Sequence, residues 1–242
     1  MAVISPENYD SDIKKQGLQY QIDRYYSPVE FSHRYRIRII MEKLNPQPGE
    51  KILDLGCGVG TFAFHSAAAG ASAWGIDYSA ESVKAAESLC RKFNVGDKTV
   101  FMVHDATEGL PFENRFFHKI VSADFFEHIT DEQKSALLQE MKRILADKGE
   151  MVIFTPNALR EKLGAIKQTV KKCFTGKKAE NPYHFGLINR FKFEKMLKRS
   201  GLNFKRHFFD VNYPVLAKLP LLNELLALNL LWTVRKNPGD LL

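Results

Sequence analysis

KILDLGCGVG, residues Lys51 to Gly60, packs an apolar strand, a carboxylate at Asp54 and three alternate glycines into ten residues. Such an order brings backbone N–H groups against a small polar ligand at the carboxyl edge of a parallel sheet, because glycine lets the main chain approach closely. Gly56, Gly58 and Gly60 do not follow the G-x-G-x-x-G spacing of dinucleotide folds, whose third glycine would fall at Thr61. The acid near the strand end is a second departure, so the pattern reads D-x-G-x-G-x-G.

Outward from this loop the chain alternates between strands and helices. Apolar runs bounded by turn residues predict strands at Lys51–Leu55, Ala73–Ile76, Thr99–His104, Lys119–Ser122, Met151–Thr155, Asn203–Asp210 and Leu230–Lys236. Thr61–Ala69 is a helix of small residues. Ala80–Phe93 sets Val83, Ala86, Leu89, Cys90 and Phe93 on one face behind Ser79 as N-cap. Thr130 and Gln133 form a capping box for a helix with the stripe Leu137, Leu138, Met141, Ile144 and Leu145, ending before Gly149. Phe193, Met196 and Leu197 mark another, stopped at Gly201. Strands separated by helices of this length predict an α/β fold: a doubly wound, seven-stranded, mostly parallel sheet. Ahead of it, QYQIDRYYSPVEFSHRYRIRIIMEKL reads as helix, break at Pro28, then helix, with Ile37, Ile40, Met41 and Leu44 on one stripe.

Later strand ends carry matching chemistry. Asp77 closes AWGID seventeen residues beyond Gly60, where a carboxylate can accept from both hydroxyls of a ribose. Tyr78 follows, a flat ring suited to an adenine face. In HDA, Asp105 can accept from an exocyclic amine and the N–H of Ala106 can meet a ring nitrogen. Singly, the glycines fit a tight turn, Asp77 a helix cap and Asp105 a loop acid; their order at three successive strand ends points to one ligand.

On these residues, from Gly49 through Asn157, the chain resembles the class I S-adenosylmethionine-dependent methyltransferases of the small-molecule, ubiquinone-biosynthesis-like type. The resemblance implies a Rossmann-like fold, S-adenosyl-L-methionine as methyl donor and S-adenosyl-L-homocysteine as product. It lays the loop with Asp54, Gly56, Cys57, Gly58 and Gly60 under the methionine part, with Cys57 contributing its backbone. Asp77 becomes the ribose position, and Tyr78, Asp105 and Ala106 the adenine positions. PFENRFFHKIVSADFFEHI is similar to the family's fourth-strand segment and puts Ser122 and Asp124 beside the methionine moiety; Phe117–His118 stands where the family has a phenylalanine–aspartate pair. Thr155 to Asn157 ends strand five facing the same pocket. The chain divides into residues 1–48, an N-terminal helical lid with Tyr25, Tyr26 and His33; 49–157, the cofactor-binding core; 158–200, a basic helical insertion after strand five; and 201–242, the last two strands with a leucine-rich cap, all one structural domain.

Net charge is +7, and between Ala158 and Ser200 twelve Lys or Arg face three Glu. That regional excess suits an anionic substrate or an acidic membrane surface, and a solvated face equally. Cys57, Cys90 and Cys173 are too few and too scattered for a disulfide framework or a metal site. MAVISPENYD lacks the basic lead and apolar core of a signal peptide, and Pro214–Trp232 is interrupted by Lys218, Pro220 and Glu224, so a cytoplasmic chain is expected.

A sulfonium methyl is electrophilic by itself, so the protein must align a nucleophile and exclude water. For a hydroxyl acceptor a histidine base helps, and His128 in EHI and His184 in ENPYHFGLINRF are the candidates. The expected acceptor is a small or lipid-like molecule, anionic or with an apolar tail, accepting at a hydroxyl or amine. DNA is not expected, and Pro214–Asn229 offers a peripheral membrane contact. Two alternatives stay open: an RNA or protein methyltransferase docking through the basic insertion, and a non-catalytic S-adenosylmethionine-binding protein.

Overall fold

The structure is a computed structural model and describes residues 6–158, 186–207, 227, 229–237 and 239. Seven strands form one sheet: β1 (Lys51–Leu55), β2 (Ser72–Asp77), β3 (Thr99–Val103), β4 (Phe117–Ala123), β5 (Leu145–Pro156), β6 (Leu202–His207) and β7 (Asn229–Lys236). Their spatial order is β3-β2-β1-β4-β5-β7-β6. The first five run parallel, and only β7 opposes its neighbours. The expected mostly parallel, doubly wound sheet is therefore present. Chain order reverses between β1 and β4, and a crevice opens at the carboxyl ends of strands at such a switch point.

Helices cover both faces because the central strands alternate their apolar side chains between two cores. Ile120, Met151 and Ile153 pack with Leu137, Leu138 and Met141 of α5 (Asp131–Ile144) and with Phe193 and Leu197 of α6 (Arg190–Arg199). Val121, Val152 and Phe154 pack on the other face against Ile39, Ile40 and Leu44 of α2 (Phe31–Leu44). Helix α3 (Thr61–Ala68) follows the glycine loop, and α4 (Ala80–Lys92) starts at Ser79, whose hydroxyl accepts from the Ser82 N–H at 3.0 Å. The capping box of α5 forms in both directions between Thr130 and Gln133.

The amino-terminal region begins with α1 (Pro6–Gln21), kinked at Gly17, and runs through one π-helical turn, Ile22–Tyr26, before the break and α2. One boundary differs from expectation. Helix α5 ends at Ile144, and β5 starts at once with Leu145 paired to Phe117, so Gly149 lies inside a strand. A register shift between Phe117 and Lys119 takes up the mismatch, and a Cβ at Gly149 would meet the His118 carbonyl at 2.8 Å. His118 is not idle: its Nδ1 accepts from the Lys51 N–H at 2.9 Å. The basic segment between residues 159 and 185, with His184, lies outside the described residues, as does most of the leucine-rich segment. Among the described residues no helix is long and apolar enough to cross a membrane.

Candidate functional site

A cavity of about 370 Å³ lies at the carboxyl edge of β1, β2 and β4, bounded on one side by α1 and the start of α2. Its floor is the loop after β1. Gly56 takes φ 70° there, and a Cβ on it would stand 2.4 Å from the Phe125 ring, so both conformation and space require glycine. Gly58 differs: a Cβ there would meet nothing, and it is the open space of the cavity that it would fill. Gly60 is set back from the wall as the N-cap of α3, against Ala86 and Phe101. The Cys57 N–H donates to the Ile76 carbonyl, and burial pushes its thiol well above the ordinary range, so this residue offers backbone rather than a thiolate.

Two carboxylates shape the loop from either side. Asp54, 2% exposed, accepts from the N–H groups of Phe62 and Ala63 at 3.0 Å each, capping α3 from the neighbouring strand. Burial pushes its pKa up to about 7 against the pull of those N–H groups. Asp77 accepts from Gly58 N–H at 2.8 Å and Ser79 N–H at 2.9 Å, and burial again raises its pKa. Asp105 lies on the wall and caps a short turn through Thr107, beside buried Ala106. Tyr78 is half-buried, edge-on to Tyr9 at 5.5 Å between ring centres.

Asp124 extends β4 by donating its N–H to Phe154, then turns into the left-handed region at φ 55°. Its carboxylate is ion-paired with Arg36 of α2. Ser122 is fully buried within β4, paired in register with Ile153, and is not among the residues that line the cavity. His128 does face the cavity, and its Nδ1 meets the Tyr9 hydroxyl at 3.2 Å.

Three contributors, Arg36, Tyr9 and Glu127, escaped sequence reading, and a fourth was read only coarsely. Among the described residues Arg36 is the only Lys or Arg on this wall, against Asp54, Asp77, Asp105 and Asp124, and its guanidinium lies over Phe154 at 5.0 Å. Nothing in RYRIRI distinguishes Arg36 from Arg34 and Arg38 until α2 is docked. Tyr9 comes from α1, where no motif marks it. Tyr26, read only as part of a helical lid, is buried and donates to the Val59 carbonyl of the glycine loop at 2.6 Å. Glu127 is 1% exposed; its Oε2 accepts from Thr155 Oγ1 at 3.0 Å, while Oε1 is buried with no hydrogen-bond partner among the described residues, 4.0 Å from His128 Nε2. Burial first, then the Asp124 charge, pushes its pKa up to about 8.

Residues 52–149 match the family model described as a methyltransferase domain. Cyclopropane-fatty-acyl-phospholipid synthase of Escherichia coli (strain K12) is 29% identical to the chain over 128 residues, 52% of this chain and 31% of the relative. A 23S rRNA uracil-C(5)-methyltransferase of Acidithiobacillus ferrooxidans is 34% identical over 103 residues, 43% of this chain and 23% of the relative. The chain thus spans less than a third of the length of these curated relatives. Among solved structures, magnesium protoporphyrin IX methyltransferase from Synechocystis PCC 6803 with bound SAH has a TM-score of 0.63 at 18% identity, covering 85% of this chain and 84% of that one. The matched segment runs from β1 to Gly149 within β5 and includes the glycine loop, Asp77, Asp105, Asp124 and His128.

Proposed function

We propose that this chain is an S-adenosyl-L-methionine-dependent methyltransferase acting on a small-molecule or lipid-like acceptor. The observation that carries the proposal is the cavity wall itself: buried acceptors at Asp54 and Asp77, an open cradle over Gly58, and a lone guanidinium at Arg36. Ribose hydroxyls would satisfy Asp77, and Arg36 would hold the carboxylate of the methionine tail. The acidic excess on the wall suits a ligand with an ammonium and a sulfonium group. Bound there, S-adenosyl-L-methionine supplies an activated methyl group, and S-adenosyl-L-homocysteine is the product.

The chain's own residues then position and enclose. Tyr9 and Tyr26 tie the amino-terminal helices to His128 and to the glycine loop, which supports reading those helices as a lid that keeps water from the reacting atoms. His128, joined to Tyr9, is placed to take the acceptor proton to one of its ring nitrogens when the acceptor is a hydroxyl or amine. The likeness to the bacterial lipid synthase and to the porphyrin methyltransferase supports an acceptor larger than a metabolite of a few atoms. Titration with S-adenosyl-L-homocysteine, followed by transfer of radiolabelled methyl into lipid, small-molecule and RNA fractions of a cell extract, tests both parts. No binding at millimolar ligand would overturn the cofactor assignment.

An RNA acceptor is the second reading, favoured by the 34% identity to the rRNA enzyme and by the basic stretch from Ala158 to Ser200. Label appearing in RNA, with affinity falling steeply as salt rises, would select it.

A further inference from the structure

A second cavity, of about 640 Å³, lies on the sheet face that carries α2, beyond the carboxyl end of that helix and over β5, β7 and β6. It shares no wall residue with the carboxyl-edge cavity. We propose that it binds a phosphate-bearing anion, through Lys43, Lys148, Lys205 and the imidazoles of His118 and His207.

The charge balance is the first support. The wall holds Lys43, Lys119, Lys148, Lys205 and Arg235 against Glu42, Glu50 and Glu150. Each of the three acids is already engaged: Glu50 with Lys119 at 2.7 Å, Glu150 with Arg235 at 2.9 Å, and Glu42 with Arg38 at 3.7 Å. Among the described residues Lys43, Lys148 and Lys205 have no carboxylate partner, so three ammonium groups face one concavity uncompensated. A concave wall of one sign raises the local concentration of the opposite ion.

The second support is geometric. Lys43 comes from α2, Lys148 from β5 and Lys205 from β6, elements far apart in the chain and brought together by the sheet order. His207 lines the same cavity. Burial and then the charges of Lys43 and Lys205 lower its pKa to about 4, so its ring is neutral there. His207 Nε2 meets Thr233 Oγ1 at 3.1 Å, which fixes the ring. His118 Nδ1 accepts the Lys51 N–H, which leaves the proton on Nε2 as a donor on the cavity side. Lysines and neutral imidazole N–H groups are donors suited to phosphate oxygens.

The test uses the full chain and two probes, inorganic diphosphate in calorimetric titration and phosphatidylglycerol vesicles in sedimentation, with phosphatidylcholine vesicles as reference. The variants are Lys43→Gln with Lys205→Gln, and a charge-matched control, Lys92→Gln with Lys98→Gln. Expected is saturable binding of at least one probe that survives saturation with S-adenosyl-L-homocysteine and weakens at least tenfold in the first double variant but not in the control. Diphosphate binding assigns the site to a free phosphate ligand, and vesicle binding alone assigns it to a lipid headgroup. Binding of neither probe, equal loss in both variants, or competition by S-adenosyl-L-homocysteine overturns the proposal. Unchanged circular dichroism and thermal midpoint show that the variant is folded. A failure here leaves the carboxyl-edge cavity and its assigned cofactor untouched.

Discussion

Replacing Arg36 by Met separates the two ends of the proposed cofactor. The side chain is 17% exposed, lies over Phe62 and Phe154, and pairs with Asp124, which is 41% exposed. Methionine retains the apolar stacking, so the structural loss is a half-exposed ion pair, worth about 1 kcal/mol or less. Against a bound carboxylate the loss is larger, because a charge-assisted bond contributes roughly 1.5–3 kcal/mol and Asp124 is left beside the ligand's negative end. Affinity for S-adenosyl-L-homocysteine should fall about 10- to 150-fold. Methylthioadenosine has the same nucleoside but no carboxylate, and its affinity should be unchanged. Titration calorimetry with both ligands on both proteins reads the difference directly. Equal weakening of the two ligands, or none, would refute the assignment of Arg36 to the carboxylate.

Asp77→Asn should weaken both ligands alike, by roughly 1–3 kcal/mol in the same calorimetric titration, because ribose is common to them. Gly56→Ala places a Cβ against Phe125 at a left-handed position; overpacking of about 1–3 kcal/mol lowers the thermal midpoint by several degrees, and Phe125→Ala in addition should restore part of it. Glu127 and Asp54 are acids whose folded pKa values, about 8 and about 7, lie above their ordinary 4.5 and 3.8. Each holds its proton more tightly when folded, so their stabilising effect is fully present below the ordinary values and is lost as pH rises through the raised ones. Urea unfolding across that window should show stability declining with pH, and Glu127→Gln should flatten the slope. Tyr9→Phe breaks the link to His128; turnover should drop and its pH profile shift, with affinity for S-adenosyl-L-homocysteine nearly kept.

Much of this protein is written in its local sequence. The alternation of apolar runs and capped helices specified seven strands, because hydrophobic period and cap chemistry act within a few residues. The loop from Lys51 to Gly60 announced a close approach of backbone for the same reason, and Gly56 takes φ 70° there, whereas the cap that Asp54 places on α3 emerged only with the fold. Asp77 and Asp105 were legible as strand-end acids. Other features depended on tertiary contacts. Ser122 lies buried within β4 and off the cavity lining, a placement that its strand's composition does not announce. Arg36 and Tyr9 lie in helices whose sequence does not say what they cover, and docking on the sheet chose one arginine of three. The same assembly gathers Lys43, Lys148 and Lys205 from three distant elements. Local sequence sets which residues a strand or helix presents; only the packing of those elements decides which side chains meet across a cavity.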